Sequence, residues 1–375
     1  MLRYLTAGES HGESLVAILD GMPAGLSLSE KEITAELLRR QKGYGRGGRM
    51  RIEKDRASIL SGVRKGKTMG SPIALTVKNK DFVIDKLPEV TRPRPGHADL
   101  AGVLKYDTTD ARTILERASA RETAARVAVG AVARQLLSEF GIDLLSHVVT
   151  LGGVVAKPVR PGSLGALRKK VEASPVRCAD QAAGKRMMAK IDQAKKDGDT
   201  LGGAIEVVVT GAPVGLGSHA QHDRKLDAAL TGALMSIQAI KAVEVGVGTE
   251  VSRLLGSKLH DEIFYSKAKG FYRKTHRAGG LEGGMTIGGP VILRLHMKPL
   301  ATLRRPLKSV DLRSKKAFDA AVERSDVTAV PAAGVVAEGV VAFELARAVV
   351  EKFGGDSLKE MKRNLAGYLK QVKDF

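Results

Sequence analysis

The sequence contains no tryptophan, and aromatic residues make up only 4% of it. Packing therefore falls to aliphatic side chains and alanine, within a hydrophobic fraction of 43% that is enough for a well-buried core. Cys178 is the only cysteine. It excludes an internal disulfide and a thiolate metal cluster, and points to a reducing cytoplasm. Long apolar runs are missing too: the most hydrophobic stretch, Val327 to Val350, is interrupted by Glu338, Glu344 and Arg347. It reads as a buried helix of a soluble protein, so no membrane association is expected. Met1–Ser10 has too short an apolar run for a signal peptide. No repeat, low-complexity tract or polar linker divides the 375 residues, and a single domain over 1–375 is expected.

Glycine is plentiful, at 42 residues, and so is positive charge: 61 Lys and Arg against 41 Asp and Glu give +20. Such a surplus favours polyanionic partners, either nucleic acid or small multiply charged metabolites. A nucleic-acid binder would interleave basic patches with stacking aromatics. Here aromatics are scarce and several arginines sit in Gly-rich loops beside His and Ser, so no nucleic-acid partner is expected.

Periodicity predicts strands at Leu15–Leu19, Ala57–Val63, Ile73–Val77, His147–Val155, Ala204–Thr210 and Val291–Met297. A helix is predicted over Ser29–Gln41, where Ser29 and Glu32 fit a capping box and Gly43 a stop. Longer helices are predicted from Ala111 to about Phe140, from His222 to Val243, and from Pro331 to Gly354. Strands and helices do not alternate regularly, which argues for an α+β layered fold over a doubly wound sheet. Helices with Ala and Val on several faces belong between layers.

Two nucleotide-like motifs fail on context. Gly43, Gly45 and Gly48 have the G-x-G-x-x-G spacing, but the loop follows a helix where the dinucleotide fingerprint follows a strand. Gly62–Thr68 resembles a P-loop one residue too short before its Gly-Lys. His219 and His222 stand three apart without a third ligand at convincing spacing, so no metal is predicted.

Other segments are candidates for chemistry. Gly8-Glu-Ser-His-Gly12 presents Ser10 and His11 on a glycine-flanked loop, which could equally be a tight turn with a solvated histidine. In Arg92–Asp99 two prolines stiffen the backbone that carries Arg94 and His97, a pattern suited to anion binding with proton transfer. Arg117 and Arg121 are one helical turn apart with Ser119 between, so both could address one anion, or pair with Glu122 on a solvated face. Glu323–Asp326 adds a further arginine beside a carboxylate.

Taken together, Gly8–Gly12, Gly43–Met50, Arg92–Leu100, Glu116–Thr123, Ala278–Gly284, Lys298–Thr302 and Glu323–Pro331 resemble the chorismate synthase family, in order and over nearly the whole chain. The resemblance implies a β-α-β sandwich with central helices between antiparallel sheets, assembled as a homotetramer. It implies an anti-1,4-elimination of phosphate from 5-enolpyruvylshikimate 3-phosphate, with non-covalent reduced FMN lending an electron transiently and no net redox change. NADPH as reductant and an external flavin reductase both remain open. By resemblance His11 serves the departing phosphate, His97 the flavin near N1, and Asp326 a proton near N5. Flavin contacts are implied for Arg117, Ala118, Ser119, Gln238, Ala239, Gly283, Lys298, Pro299, Leu300, Ala301, Thr302 and Arg324. Ser10, Arg40, Arg46, Arg49, Arg94 and Arg121 are implied for the phosphates and carboxylates of substrate, with Arg40 and Arg46 alternatively for NADP(H). His276, Ile287 and Gln238 depart from residues common in the family, and bear on flavin-loop contacts. A flavin oxidoreductase on the same scaffold is the rival enzymatic reading.

Overall fold

The computed structural model describes residues 1–48, 53–158, 163–323 and 325–375. Two antiparallel sheets enclose a layer of helices. The first has the strand order Arg3–Ala7, Ser14–Asp20, Ile73–Lys78, Ala57–Ile59. The second runs Ile240–Val245, Val291–Met297, Gly203–Thr210, Asp143–Leu151, Val154–Val155. Alternation decides which face each sheet buries: Leu15, Ala17 and Leu19 of the first, and Val291, Leu293 and Leu295 of the second, all lie in one hydrophobic cluster. The expected layered α+β architecture is thus present.

Between the sheets lie the helices Thr123–Ser138 and Val330–Phe353, flanked by Glu30–Gln41. Val330–Phe353 is apolar over most of its surface, and it reaches solvent only from Arg347 onward. Pro331 sits in its first turn and Gly354, at φ 55°, follows its end. The two central helices cross at Gly130 and Gly339, where a Cβ on Gly130 would lie 2.2 Å from the Gly339 Cα. Two carboxylates on Val330–Phe353, Glu338 and Glu344, are buried. Glu338 accepts hydrogen bonds from Arg39, Arg134, Arg177 and Ser146. Burial opposes its ionisation, but the three guanidinium groups hold its carboxyl far below the usual range.

Two predicted helices are shorter than their periodicity suggests. The segment from Ala111 to Phe140 divides into Arg112–Ala118, a 3-10 turn at Ala120–Glu122, and Thr123–Ser138. The break is Ser119, which is extended and uses its hydroxyl to accept from the Arg121 N–H, a local bond that competes with helix continuation. The His222–Val243 segment is helical only over Leu226–Met235 after a 3-10 turn at His222–Arg224. Ala239 then takes φ 68°, and Ile240–Val245 pairs as an edge strand with Val291–Met297. Tertiary pairing of these β-branched residues overrides the helical spacing.

The predicted His147–Val155 strand is a hairpin turning at Gly152–Gly153, with its first strand beginning at Asp143. The P-loop look-alike is a hairpin as well, with Lys65 and Gly66 both at positive φ in its two-residue turn. No helix among the described residues is long and apolar enough to cross a membrane. Among those residues no group of three or more His, Cys, Asp or Glu side chains is placed to hold a metal.

Candidate functional site

The Thr6–His11 segment leaves the first sheet and is gripped by the Arg112–Ala118 helix. The Ser10 N–H donates to the Glu116 carbonyl at 2.9 Å, and the His11 N–H to the Glu116 carboxylate at 2.8 Å. The same carboxylate meets His11 Nδ1 at 2.9 Å, and Asp81 lies 3.9 Å from Nε2. Burial would raise the Glu116 carboxyl, but hydrogen bonds from His11, with Arg112 nearby, bring it below the usual carboxylate range. Ser119, freed by the helix break, donates its hydroxyl to Ser10 Oγ at 3.2 Å.

Within the Arg92–Asp99 turn, Asp99 is the buried anchor. It accepts from the Arg94 N–H, from Arg94 Nε at 2.8 Å and from His97 Nδ1 at 2.5 Å. Desolvation opposes the charge, yet the bonds from His97 and Arg94 hold the Asp99 carboxyl well below its usual value. An ionised Asp99 can only accept, so His97 donates Nδ1–H to it, while Arg94 Nη2 lies 3.1 Å from Nδ1 and 3.5 Å from Nε2 of the ring that lines the cavity. Arg94 also donates to Thr302 Oγ1 at 2.8 Å, tying this turn to the Lys298–Thr302 segment.

The Gly43–Gly48 loop folds against the segment carrying Asp326. The Gly47 N–H donates to Asp326 Oδ1 at 2.5 Å, and Arg46 meets Oδ2 at 2.6 Å. A Cβ on Gly47 would lie 2.9 Å from the Ser325 carbonyl oxygen, so this close approach excludes any larger residue. Beneath it, buried Asp55 is shared by Arg40 at 2.9 Å and Arg121 at 2.6 Å. Burial, with repulsion from Arg121 and Arg46, outweighs Asp55 and draws the Arg40 guanidinium down to about 10. It therefore stays charged at neutral pH. Arg121 also lies 3.9 Å from Glu53 and donates to Asn79 Oδ1 at 2.8 Å, so both guanidinium groups are held in fixed positions at this wall.

Gln238–Ala239 and Lys298–Thr302 are neighbours because one leads into and the other leaves a pair of adjacent antiparallel strands; the Lys298 N–H donates to the Ala239 carbonyl at 2.9 Å. Lys298 Nζ donates to the Gly96 carbonyl, and burial together with Lys241 lowers its pKa. Gln238 donates to Glu122 at 3.3 Å, while its own carbonyl oxygen is buried with no hydrogen-bond partner among the described residues.

These segments line one cavity of about 650 Å³, a size suited to a cofactor with a small substrate. Its lining includes Ser10, His11, Arg40, Arg46, Arg94, His97, Ala118, Ser119, Arg121, Gln238, Ala239, Lys298, Leu300, Ala301, Thr302 and Asp326. Ile237, Met297, Ala332, Ala333 and Val336 supply apolar surface. A second cavity, of about 730 Å³ and lined by Tyr44, Lys195 and Arg304, shares the Arg46–Asp326 wall.

Three predicted residues stand outside the lining. Arg117 is not paired with Arg121 on one anion, because the break at Ser119 turns the two apart. Its guanidinium instead donates to the Thr6 and Gly8 carbonyls and holds the chain that leads to Ser10. Gly283 lies in the Leu281–Thr286 hairpin beside His219, and Pro299 also stands apart from the lining. Arg49 and Arg324 lie outside the described residues. Sequence reasoning missed Asp55, Asp99 and Glu116 as partners. Asp99 and Glu116 sit inside the quoted motifs, and Glu116 follows Arg112 by one helical turn, whereas nothing local marks Asp55.

The chorismate synthase family model matches residues 2–350. The chorismate synthase of Geobacillus sp. (strain WCH70) is 54% identical over 388 aligned residues, covering all of both chains. That of Geobacter sulfurreducens is 55% identical over 394 aligned residues, again over the full length of both. A crystal structure of chorismate synthase superposes with a TM-score of 0.83 at 44% identity, over 100% of this chain and 99% of that one.

Proposed function

Since this chain belongs to the chorismate synthase family, lyases of the last step of the shikimate pathway, we propose that the 650 Å³ cavity performs that elimination with reduced FMN bound. The reaction is the anti-1,4-elimination of the 3-phosphate and the C6 hydrogen from 5-enolpyruvylshikimate 3-phosphate, giving chorismate and phosphate. One observation carries the reading: His11, His97 and Asp326, remote in sequence, line the same cavity as Arg40, Arg46, Arg94 and Arg121. A substrate with two carboxylates and a phosphate needs such a set of guanidinium groups to leave water.

The residues present fit a flavin. Apolar Ile237, Met297, Ala332, Ala333 and Val336 offer a surface for a ring, and the unpartnered Gln238 carbonyl oxygen suits a ring N–H. Gln238, Ala239 and Lys298–Thr302 would hold it. When bound, reduced FMN supplies an electron transiently, which makes loss of phosphate feasible without an acidic C–H bond. The other steps fall to the chain itself. Arg40, Arg46, Arg94 and Arg121 orient the substrate anions. His11 would protonate the departing phosphate oxygen, His97 would sit against the flavin ring, and Asp326 would act as a proton acceptor or relay.

Arrival of an anion at Arg46 would loosen its 2.6 Å pairing with Asp326, freeing that carboxylate as substrate binds. We further assign the chain to the cytoplasm, as one domain within a homotetramer, with flavin reduced by NADPH or an external reductase. The test is an anaerobic assay with chemically reduced FMN, following phosphate release and chorismate absorbance together. Stoichiometric appearance of both is expected. No phosphate release under those conditions would overturn the reading, and NADPH oxidation without phosphate release in a parallel assay supplied with NADPH would favour an oxidoreductase.

A further inference from the structure

The groups around His11 form a line that reaches past the cavity. His11 Nδ1 lies 2.9 Å from Glu116 Oε1 and 3.1 Å from Oε2. The main-chain N–H of His11 donates to the same carboxylate at 2.8 Å. Arg112, one turn earlier on the helix, approaches Glu116 at 3.5 Å, and its other amino group pairs with Glu323 at 2.9 Å. Glu116 and Arg112 are both buried. A buried carboxylate that accepts twice from one histidine does more than fill space: it selects the tautomer and fixes the ring plane.

We propose that Glu116 is the positioning residue for His11. In the imidazolium form His11 donates Nδ1–H to Glu116, which orients the ring so that Nε2–H faces the departing phosphate, while Arg112 links Glu116 to Glu323 on the loop that carries Asp326. Glu116 touches neither substrate nor cofactor in this role. The step balances simply. As the C3–O bond breaks, its electron pair goes to the phosphate oxygen, which takes the Nε2 proton. The imidazole is left neutral with Nδ1–H still donated to Glu116, and solvent restores the proton after release. Among the described residues, the charged groups facing the ring include Glu116 from the helix and Asp81 from the loop after Asn79, with Arg112 behind Glu116.

The inference rests on the proposed elimination, but its test is separate, because turnover by the unaltered enzyme tests that reading alone. Glu116→Gln keeps the shape and removes the charge. The kcat should fall by about 10–100-fold, as for other partners that orient a functional histidine. The alkaline limb of the kcat profile should move to lower pH, because a neutral amide no longer favours the imidazolium. Glu116→Asp should return that limb toward its original position. In a His11→Ala background, Glu116→Gln should add little further loss. Full additivity with an unmoved pH profile would overturn the proposal. Should Glu116→Gln fail to fold, the ¹⁵N shifts of the His11 ring in the unaltered protein decide. Protonated Nδ1 supports the assignment, and unprotonated Nδ1 with protonated Nε2 defeats it.

Discussion

Asp99 shows how much of this cavity is set by residues that face away from it. Its carboxylate is fully buried and accepts from Arg94 and His97 together. Asp99→Asn would leave Arg94 as a buried cation without its counter-charge, a change that costs about 3–5 kcal/mol when a buried pair is broken. Thermal unfolding should show that loss, and phosphate release should slow because His97 can take the wrong tautomer. An unfolding midpoint equal to that of the parent would count against the pairing described here. The pH sign follows from the depressed carboxyl: its contribution to stability is complete above the ordinary value of 3.8 and fades as pH falls below it. The sequence marked His97 and Arg94 but not their arbiter, because a motif shows which residues recur and not which carboxylate lies beneath them.

The elements that deliver these residues were legible where one face is buried and ambiguous where packing is two-sided. Val291–Met297 alternates along its whole length, and its observed limits equal the predicted ones. The Ala111–Phe140 segment carries a continuous helical spacing, yet the chain breaks at Ser119, whose hydroxyl serves both Arg121 and Ser10. Apolar spacing does not report a break made by a side-chain bond to the neighbouring backbone, as at Ser119 and Arg121. Nor does it report Ala239, which turns a predicted helix into a strand so that Gln238 reaches the cavity.

Close packing sets the limits at the central crossing. Gly130 meets the Gly339 backbone, and neither helix can withdraw without opening the layer. Gly130→Ala should destabilise the protein by about 1–3 kcal/mol or more, the usual cost of overpacking a core. Denaturant melts would read this as a lower midpoint at unchanged slope. A midpoint equal to the parent's would mean that the helices are not in contact there.

Across the whole molecule, acid sensitivity should centre on Glu338, the buried carboxylate that three arginines share. Its carboxyl is depressed in the folded state, so its stabilising contribution is present above the ordinary value of 4.5 and lost as pH falls beneath it. Glu338→Gln should remove much of that acid dependence while lowering stability at neutral pH. A pH–stability curve parallel to the parent's would refute this assignment. The layered class was readable from element order and from apolar helices with no solvent face. The pairing of sheets around them was not, since register and layer order depend on contacts that no local pattern encodes. The +20 charge gains a purpose only where arginines converge, and its many exposed lysines have no structural account.

The helix that fills the middle of the sandwich, Val330–Phe353, comes late in the chain. On a ribosome both sheets would therefore emerge before the element that separates them. Thr123–Ser138 can cover the first sheet early, but until about residue 353 is made the second sheet lacks the helix it chiefly packs against, and nascent chains should expose apolar surface of the kind chaperones bind. A ligand-binding cavity should accordingly form only once this helix has been made, and shortening the chain into it should abolish the fold instead of trimming its edge.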